Sequence, residues 1–160
     1  MSDQRQDSAP DARDPLLYGS YERALDSKGR FNVPFRFRKK DLAPEEEPPR
    51  FMITEDPQGV VSLMTCHQYE ESLERTKQLG RGRELWNFLR WLATHSQEVQ
   101  MDGQGRVAVP QRYLDRIGAR KRLLVLGVGD RMELWEPGRH DAVQAASGSP
   151  TEEFFEEFFQ

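Results

Sequence analysis

Apolar and polar residues alternate in short stretches near the start of the chain, and turn signals separate these stretches. The alternation in Tyr21–Leu25 and Arg30–Val33 predicts two strands, because successive side chains of a strand point to opposite faces. Asp26–Gly29 lies between them and predicts a tight turn, in which Asp accepts from the backbone ahead and Gly tolerates a positive φ. A second pair of strands is predicted at Phe51–Thr54 and Val60–Met64.

The same pattern occurs twice in the chain, at an offset of 76 residues. The segment Asp26–Pro34 reads DSKGRFNVP and the segment Asp102–Pro110 reads DGQGRVAVP, with five of nine positions identical. An ordered duplication of this length indicates a fold built from two copies of one small unit. The second copy predicts strands at Glu98–Met101, Arg106–Val109, Leu123–Leu126 and Met132–Trp135, and turns at Asp102–Gly105 and Gly127–Asp130.

Each repeat also predicts a helix directly after its second strand. Pro34 and Pro110 lack a backbone donor and have a fixed φ, so each suits the first position of a helix. The first helix is expected to run to about Leu42, before an exposed acidic connection at 43–49, and the second to end at Gly118. The order strand, turn, strand, helix, strand, turn, strand, occurring twice, predicts an α+β fold in which two small units share a core.

Three further helices are predicted outside these motifs. Gln68–Leu79 has few apolar residues among many charges and is expected to be a surface helix. Arg83–Thr94 is apolar around much of its circumference, so it needs a cover from the chain itself or from another subunit. Ser149–Gln160 predicts a last helix, with Ser149 as its cap and Pro150 at its first position. One face of that helix carries Phe154, Phe155, Phe158 and Phe159. This face suits docking on its own chain or on a neighbouring subunit, and a dedicated protein partner is the alternative.

Charge is unevenly distributed along the 160 residues, although the net formal charge is only −4. Six basic residues against one acid give Asp26–Lys40 a charge of +5, and Asp102–Arg122 carries +4. Acidic residues collect in 41–56 and in the C-terminal segment. Segregated charge can create a basic face on an acidic protein, and such a face suits a polyanion. The alternative is that these are ordinary solvated surface charges.

The Asp-x-x-Gly-Arg sequence of both turns is the candidate binding feature. Arg30 and Arg106 leave their turns in a set orientation, and the planar fork of donors on Arg suits phosphate or the edge of guanine. The alternative is an ion pair between the Asp and the Arg at the two ends of each turn. Lys28 adds a charge to the first turn, whereas the matching residue of the second is the neutral Gln104. The first repeat is therefore expected to contribute more to binding.

Several classes of protein are disfavoured by the sequence. A single cysteine, Cys66, excludes an internal disulfide framework and suits a reducing cytosol. Neither the polar start of the chain, Met1–Pro15, nor any later segment has the apolar run of a signal peptide or a membrane span. The histidines and the cysteine lack the spacing of a zinc site, and the carboxylates occur in solvated runs. We therefore predict no catalytic residues, metal ligands or cofactors, and an enzyme is the least favoured class.

Two groups of residues resemble the MraZ family, and the similarity covers most of the chain. Either group alone would indicate only the wider AbrB-like superfamily, so the pairing of the two at this separation is the specific feature. The residues that carry the resemblance are Tyr18–Glu22, Leu25–Pro34 and Phe37-Arg38 in the first repeat, and Asp102–Pro110 and Leu124–Trp135 in the second.

The resemblance implies two tandem AbrB-like swapped-hairpin repeats that form a pseudo-symmetric β-barrel, with helices after each motif and between the repeats. It also implies a ring-shaped homo-oligomer that regulates the bacterial division and cell-wall gene cluster. Binding that blocks polymerase at the promoter would give repression. The implied partner is double-stranded DNA with repeated promoter boxes, in the cytoplasm and associated with the nucleoid, with no membrane and no small-molecule substrate. The DNA-binding residues that the resemblance carries over are Lys28, Arg30, Gln104 and Arg106, followed by Arg36 and Arg112.

The resemblance covers the two repeats, and together with the polar start and the Phe-rich end of the chain it gives five expected parts. Residues 1–17 are expected to be a disordered arm, 18–66 the first AbrB-like repeat, 67–94 a helical connector, 95–146 the second repeat and 147–160 an amphipathic helix. Two other functions stay open. An antitoxin-like protein of the AbrB superfamily would bind a protein partner and its own operator, and a purely structural ring would bind no DNA.

Overall fold

The computed structural model describes residues 16–38 and 49–160. The arm predicted for residues 1–17 lies almost entirely outside this part of the chain. The end of the helix predicted to reach Leu42 lies outside it as well, as does the acidic connection at 43–49 except for Pro49.

The described residues contain eight strands and six helices. The strands are β1 (Leu17–Ala24), β2 (Arg30–Asn32), β3 (Arg50–Glu55), β4 (Val61–Thr65), β5 (Ser96–Gln100), β6 (Arg106–Ala108), β7 (Arg122–Gly129) and β8 (Met132–Trp135). The helices are α1 (Phe35–Arg38), α2 (Cys66–Lys77), α3 (Arg83–His95), α4 (Gln111–Ile117), α5 (Pro137–Ser147) and α6 (Glu152–Phe158).

Six of these strands form one antiparallel sheet in the order β1-β7-β8-β4-β3-β5. The hairpins β3–β4 and β7–β8, one from each repeat, meet at the centre through β4 and β8. Each outer strand pairs with the other repeat, because β1 lies beside β7 and β5 lies beside β3. Strands β2 and β6 form a separate antiparallel ribbon, again with one strand from each repeat. The two repeats are therefore interleaved by backbone hydrogen bonds rather than folded side by side.

The mixed architecture of helices and sheets confirms the predicted α+β class. The large sheet has β1 and β5 at its edges, and the strands of the described residues do not pair into a closed barrel. The closed barrel and the AbrB-like identity of the two repeats stay predictions.

The hydrophobic core is shared between the repeats and shows their duplication position by position. In the β2–β6 ribbon the central residues of both strands face each other and are fully buried. Removing side chains of this size from water contributes about 1.5–3 kcal/mol each, so neither repeat could keep this stabilisation alone. The equivalent buried positions of the two repeats are Phe31 and Val107, Val33 and Val109, and Phe37 and Tyr113.

The helices that follow the two turns begin one residue later than predicted. Helix α1 starts at Phe35 and α4 at Gln111, so Pro34 and Pro110 precede these helices instead of occupying their first positions. Pro110 has the extended backbone of a cap, with a ψ of 143°, and its carbonyl accepts the backbone N–H of Tyr113 in the first turn of helix α4. Gly118 ends α4 in the left-handed conformation, with a φ of 75°, as predicted.

The turn predicted at Gly127–Asp130 is displaced by strand β7, which runs on to Gly129. Gly127 lies against the backbone of β1, and a Cβ on it would come within 2.5 Å of the backbone nitrogen of Tyr18. Strand β1 correspondingly begins at Leu17 rather than Tyr21, because it pairs with β7 along its whole length. The glycine here serves a close approach of two strands and not a change of chain direction.

The C-terminal segment also differs from the prediction. Helix α6 begins at Glu152 with Thr151 as its cap, not with Ser149, which places Glu152 and Glu153 in the first turn, where the helix dipole favours acids. Helix α5 has no predicted counterpart. Its signal is Glu136, whose side chain accepts the backbone N–H of Arg139, the third residue of the helix, followed by Pro137 at the first position.

Two helices keep large apolar side chains uncovered in the described part of the chain. Helix α3 contains no fully buried residue, and Trp86 is 57% exposed. Its better covered residue is Trp91, whose Nε1 donates to the carbonyl of Glu55 at 2.8 Å. The phenylalanines of α6 and its end, Phe154, Phe155, Phe158 and Phe159, are exposed as well.

Candidate nucleic-acid interface

The first Asp-x-x-Gly-Arg turn is held by its own aspartate. Oδ1 of Asp26 accepts the backbone N–H groups of Lys28 and Arg30, each at 2.9 Å. The backbone carbonyl of Asp26 accepts the N–H of Gly29 at 2.9 Å, and Gly29 has a φ of +73°. Residues with a side chain rarely adopt this φ, so the sequence specifies the turn locally through Asp and Gly.

The second turn repeats this geometry. Oδ1 of Asp102 accepts the backbone N–H groups of Gln104 and Arg106 at 2.9 Å, and the Asp102 carbonyl accepts that of Gly105 at 3.0 Å. Gly105 has a φ of +81°. The side chains at the matching middle positions, Lys28 and Gln104, are both exposed.

Each turn also contains an ion pair between its end residues, which is the alternative that the sequence leaves open. Nε of Arg30 lies 2.7 Å from Oδ2 of Asp26, and Nε of Arg106 lies 2.9 Å from Oδ2 of Asp102. The two Arg side chains still keep 29% and 27% of their surface exposed. A guanidinium has five N–H groups, so the pair orients the fork and leaves further donors for an anion. Pairing within the turn and binding outside it are therefore compatible.

The same contacts lower the pKa of both aspartates. The backbone N–H of Arg30 has the largest effect on Asp26, and together with the Arg30 guanidinium it outweighs desolvation and lowers the pKa from 3.8 to about 2. At Asp102 the backbone N–H of Arg106 is again the largest influence, and the pKa is lowered. Both carboxylates are therefore charged at neutral pH, and each turn keeps its charged pair.

Backbone hydrogen bonds hold the two turns beside each other. Val33 donates its N–H to the carbonyl of Gly105 at 3.0 Å, and Val109 donates to the carbonyl of Gly29 at 2.9 Å. These two bonds occupy equivalent places in the repeats. Nη1 of Arg106 also lies 4.0 Å from the carboxylate of the first turn. The ribbon and these links place both turns on one part of the molecule.

We define the turn surface as residues 26–30 and 102–106. It contains four of the six predicted DNA-binding residues, which come from both repeats although 76 positions separate their equivalent members. These four residues are Lys28, Arg30, Gln104 and Arg106.

The other two predicted binding residues follow the turns and stack on aromatic rings. The guanidinium carbons of Arg36 and Arg112 both lie 4.6 Å from a ring centroid, that of Tyr18 for the first and Tyr113 for the second. Arg112 also donates to the carbonyl of Thr94 at 2.9 Å and to the Tyr113 hydroxyl at 2.6 Å. Both residues are exposed, and these two hydrogen bonds additionally tie the guanidinium of Arg112 to the fold.

One cation at the second turn is not among the predicted binding residues. Nη1 of Arg38, the last residue of α1, lies 3.4 Å from the carbonyl oxygen of Gln104 and donates to it. The sequence offers no direct signal for this contact, because it joins residues 66 positions apart. The sequence gives two indirect hints, since Arg38 belongs to the basic segment after the first turn and to the residues that carry the family resemblance.

The described residues have few other candidate sites. Residues 16–38 and 49–160 contain no cluster of three or more potential metal ligands. A cavity of about 540 Å³ lies between α2, α3 and the β3–β4 hairpin, and its lining includes Leu73, Trp91 and Arg131. Within the same two ranges, no helix is both long enough and apolar enough to cross a bilayer.

Several known proteins that are similar to this chain are named as transcriptional regulators. Residues 92–159 match the family model described as "MraZ protein, putative antitoxin-like". The chain is 30% identical over 129 residues to the transcriptional regulator MraZ of Mycoplasmopsis pulmonis (strain UAB CTIP), a match that covers 80% of this chain and 84% of that protein. It is 30% identical over 132 residues to the regulator of the same name from Acidovorax sp. (strain JS42), covering 82% and 90% of the two chains. The MraZ regulator of Mesoplasma florum is 26% identical over 146 residues, covering 91% and 97%. Because such relatives match over most of their own length, this chain belongs to the MraZ family, which is a family of DNA-binding transcriptional regulators and not a class of enzymes.

Proposed function

We propose that the chain binds double-stranded promoter DNA through the turn surface and represses transcription there. The observation that carries this proposal is the side-by-side placement of two equivalent Asp-x-x-Gly-Arg turns, joined by the β2–β6 ribbon. Phosphate oxygens and the edge of guanine both accept hydrogen bonds from a planar guanidinium. The turn surface offers two such groups, on Arg30 and Arg106, with the charge of Lys28 beside them.

A single turn surface neutralises few phosphates, so by itself it binds DNA weakly and with strong salt dependence. We propose that a ring-shaped homo-oligomer displays many copies of it to repeated promoter boxes. Engagement of several copies at once raises the effective concentration without any additional kind of interaction. The exposed aromatic residues of α3, Trp86 and Phe88, support self-association, because such residues are enriched at subunit interfaces.

The interleaved strands support the proposal of two AbrB-like swapped-hairpin repeats within a barrel-like fold. The pairings β1–β7 and β5–β3 are reciprocal between the repeats, as a swapped arrangement requires. In this proposal 18–66 and 95–146 are the repeats, 67–94 connects them and 147–160 is an appended helix. The regulated genes are the division and cell-wall cluster, and the protein acts at the nucleoid in the cytoplasm, where it blocks polymerase.

The substitution Lys28→Gln tests the turn surface, because it removes one exposed charge and keeps the backbone hydrogen bonds of the turn. Binding is measured by fluorescence anisotropy on the region upstream of the chain's own gene, in a series from about 50 to 200 mM salt. We expect the slope of log K against log salt to become shallower by about 0.9 for each phosphate that the variant no longer neutralises. At about 0.1 M salt this corresponds to an affinity about tenfold lower for each engaged subunit.

Arg75→Gln provides the matched control, since it removes one exposed charge from α2, outside the turn surface. It should leave both the affinity and the slope unchanged. Arg30→Gln removes the fork as well as a charge and should weaken binding further. If Lys28→Gln and Arg30→Gln both keep the native mass and both bind DNA with the affinity of the wild type, the proposal is contradicted.

A protein-binding role is the second candidate, and the exposed phenylalanines of α6 are the observation that favours it. Four glutamates lie among these rings, so an acidic, apolar helix is available for a basic partner. An antitoxin-like protein would co-purify with a small basic protein encoded next to it. Loss of that partner on deletion of 149–160, with DNA binding unaffected, is the result that would support this role.

A further inference from the structure

The two turns differ in charge at their middle positions, but they differ less when the charged side chains that lie beside them in the fold are counted. Lys28 supplies a cation within the first turn, and Gln104 supplies none within the second. The guanidinium of Arg38 reaches the second turn from α1 and donates to the Gln104 carbonyl at 3.4 Å. A cation therefore lies beside each turn, although only one of the two belongs to the turn itself.

The repeat equivalent of Arg38 is Leu114, at the same offset of 76 residues that relates the turns. Leu114 packs on the first turn, where a Cβ added to Gly29 would lie 3.2 Å from its Cδ1. At the second turn the guanidinium of Arg38 occupies the space that a Cβ on Gly105 would need. The two repeats thus use one position for the same purpose, to cover the glycine of the opposite turn, with leucine in one case and arginine in the other.

Arginine at this position gains a contact with the Phe35 ring, whose centroid lies 5.4 Å from its guanidinium carbon, but it also has an energetic cost. Nε of Arg38 is the one buried side-chain nitrogen or oxygen in the described residues that has no hydrogen-bond partner. A buried N–H without an acceptor destabilises a fold, whereas an apolar side chain at the same place would not incur this cost. Leu114 demonstrates that the fold accepts leucine at the equivalent position.

We propose that Arg38 is a DNA-contacting residue that gives the second turn the cation its own sequence lacks. The inference rests on the proposed function of the turn surface and extends it. Its ligand is the phosphate backbone of duplex DNA, because a guanidinium held over a turn next to Arg106 presents two cations to one polyanion. The two repeats then contribute comparable charge to binding, in contrast to the inequality expected from Lys28 and Gln104.

The test is Arg38→Leu, which copies the residue of the other repeat and so keeps a side chain that can cover Gly105. Anisotropy titrations on the repeated promoter boxes should give a salt slope shallower by about 0.9 per engaged subunit and an affinity about tenfold lower at about 0.1 M salt. Arg75→Leu, the same substitution on α2, should change neither quantity. Native mass and melting temperature are measured for every variant.

A rescue variant separates charge from structure. The double substitution Arg38→Leu with Gln104→Lys recreates in the second turn the arrangement of the first, and it should restore the slope and the affinity of the wild type. If Arg38→Leu assembles poorly, Arg38→Gln, which keeps a donor for the Gln104 carbonyl, is compared instead and should show the same reduction in affinity.

The outcomes distinguish this inference from the proposed function. If Lys28→Gln weakens binding but Arg38→Leu does not, or if Gln104→Lys does not restore the affinity, the role of Arg38 is wrong and the turn surface stands. If neither Lys28→Gln nor Arg30→Gln affects binding, the turn surface is wrong, and the role of Arg38 is wrong with it.

Discussion

At the scale of single residues, one aspartate organises each turn. Asp26 accepts two backbone N–H groups with one carboxylate oxygen and the Arg30 guanidinium with the other. The turn and the orientation of the arginine therefore depend on the same group. The ionised form is favoured by all three contacts, which is why the pKa of Asp26 falls to about 2.

The substitution Asp26→Asn should reveal this dependence as a function of pH. The native pKa is below the ordinary value of 3.8, so the charged carboxylate stabilises the fold above about pH 4, and this contribution is lost as the pH falls towards 2. Asparagine keeps an oxygen for the backbone donors but has no charge for Arg30. We expect the variant to unfold at a lower temperature than the wild type at pH 7.

Thermal unfolding of both proteins, followed by circular dichroism from about pH 7 downwards, measures this difference. The difference in melting temperature should shrink below about pH 4. A difference that stays constant down to pH 2 would argue against the charged pair as its source. Asp102→Asn should behave in the same direction, since the pKa of Asp102 is lowered by equivalent contacts.

The contrast between Asp26 and Arg38 explains what could be predicted about the site. All partners of Asp26 lie within five consecutive residues, so the turn and its possible ion pair can be predicted from the sequence. The position of Arg38 depends on two repeats coming together, and no local pattern reports the contact with Gln104. The exposure of Arg36 beside Tyr18 and the tethering of Arg112 by Thr94 likewise depend on tertiary packing.

At the scale of elements, α3 shows how one helix serves two surroundings. Trp91 lies half-buried against the sheet and donates from Nε1 to the carbonyl of Glu55. Trp86 lies on the same helix but is mostly exposed. The apolar circumference is evident in the sequence, but which part faces the chain and which part is left open is decided by how α3 docks on β3.

Two substitutions on α3 should therefore affect different properties, one the assembly of subunits and the other the stability of the subunit. Trp86→Ser removes a side chain that is 57% exposed in the subunit, so the free energy of unfolding should fall by much less than for Trp91→Ala, while the native mass of the assembly falls. Trp91→Ala removes packing and a hydrogen bond and should destabilise the subunit by on the order of 2 kcal/mol.

Native mass spectrometry and urea unfolding at several protein concentrations separate the two effects, because oligomerisation makes apparent stability concentration-dependent. If Trp86→Ser keeps the wild-type mass, self-association uses another surface. If it destabilises the subunit as much as Trp91→Ala, the helix is covered more fully than its exposure indicates.

Element boundaries could be predicted where one rule dominates and not where rules compete. Gly118 ends α4 as predicted, since a left-handed residue after a helix favours glycine over all others. At the start of α6 both Ser149 and Thr151 are good caps, and only the structure identifies Thr151. Helix α5 has a weak apolar face, so its best signal was the Glu136-Pro137 start rather than periodicity.

At the scale of the whole molecule, the decisive feature is that the two repeats exchange strands. The pairs β1–β7, β3–β5, β4–β8 and β2–β6 all join one repeat to the other. The duplication predicts two equivalent units, but it does not predict which strands pair. Both repeats have the same alternation of apolar residues. A strand of one repeat could therefore pair equally well with a strand of its own repeat or with the equivalent strand of the other repeat.

This exchange predicts that neither half of the chain folds alone. Expressed separately, residues 1–66 and 67–160 should each lack a cooperative thermal transition and have the narrow amide dispersion of unfolded chains, because most sheet pairs and half of each core layer are missing. Mixed or co-expressed, the two halves should recover the circular dichroism spectrum of the intact chain. A sharp, independent melt of either half would contradict the interleaved core.

The β2–β6 ribbon has a consequence for how binding sites on DNA can evolve. Because main-chain bonds tie Val33 to Gly105 and Val109 to Gly29, substitution of a side chain can strengthen or weaken either turn but hardly alters the distance between them. The distance between the two turns is therefore fixed by the protein backbone. On the proposed function, adaptation to a new promoter has to come from a change in the spacing of the DNA boxes, because the distance between the turns stays the same.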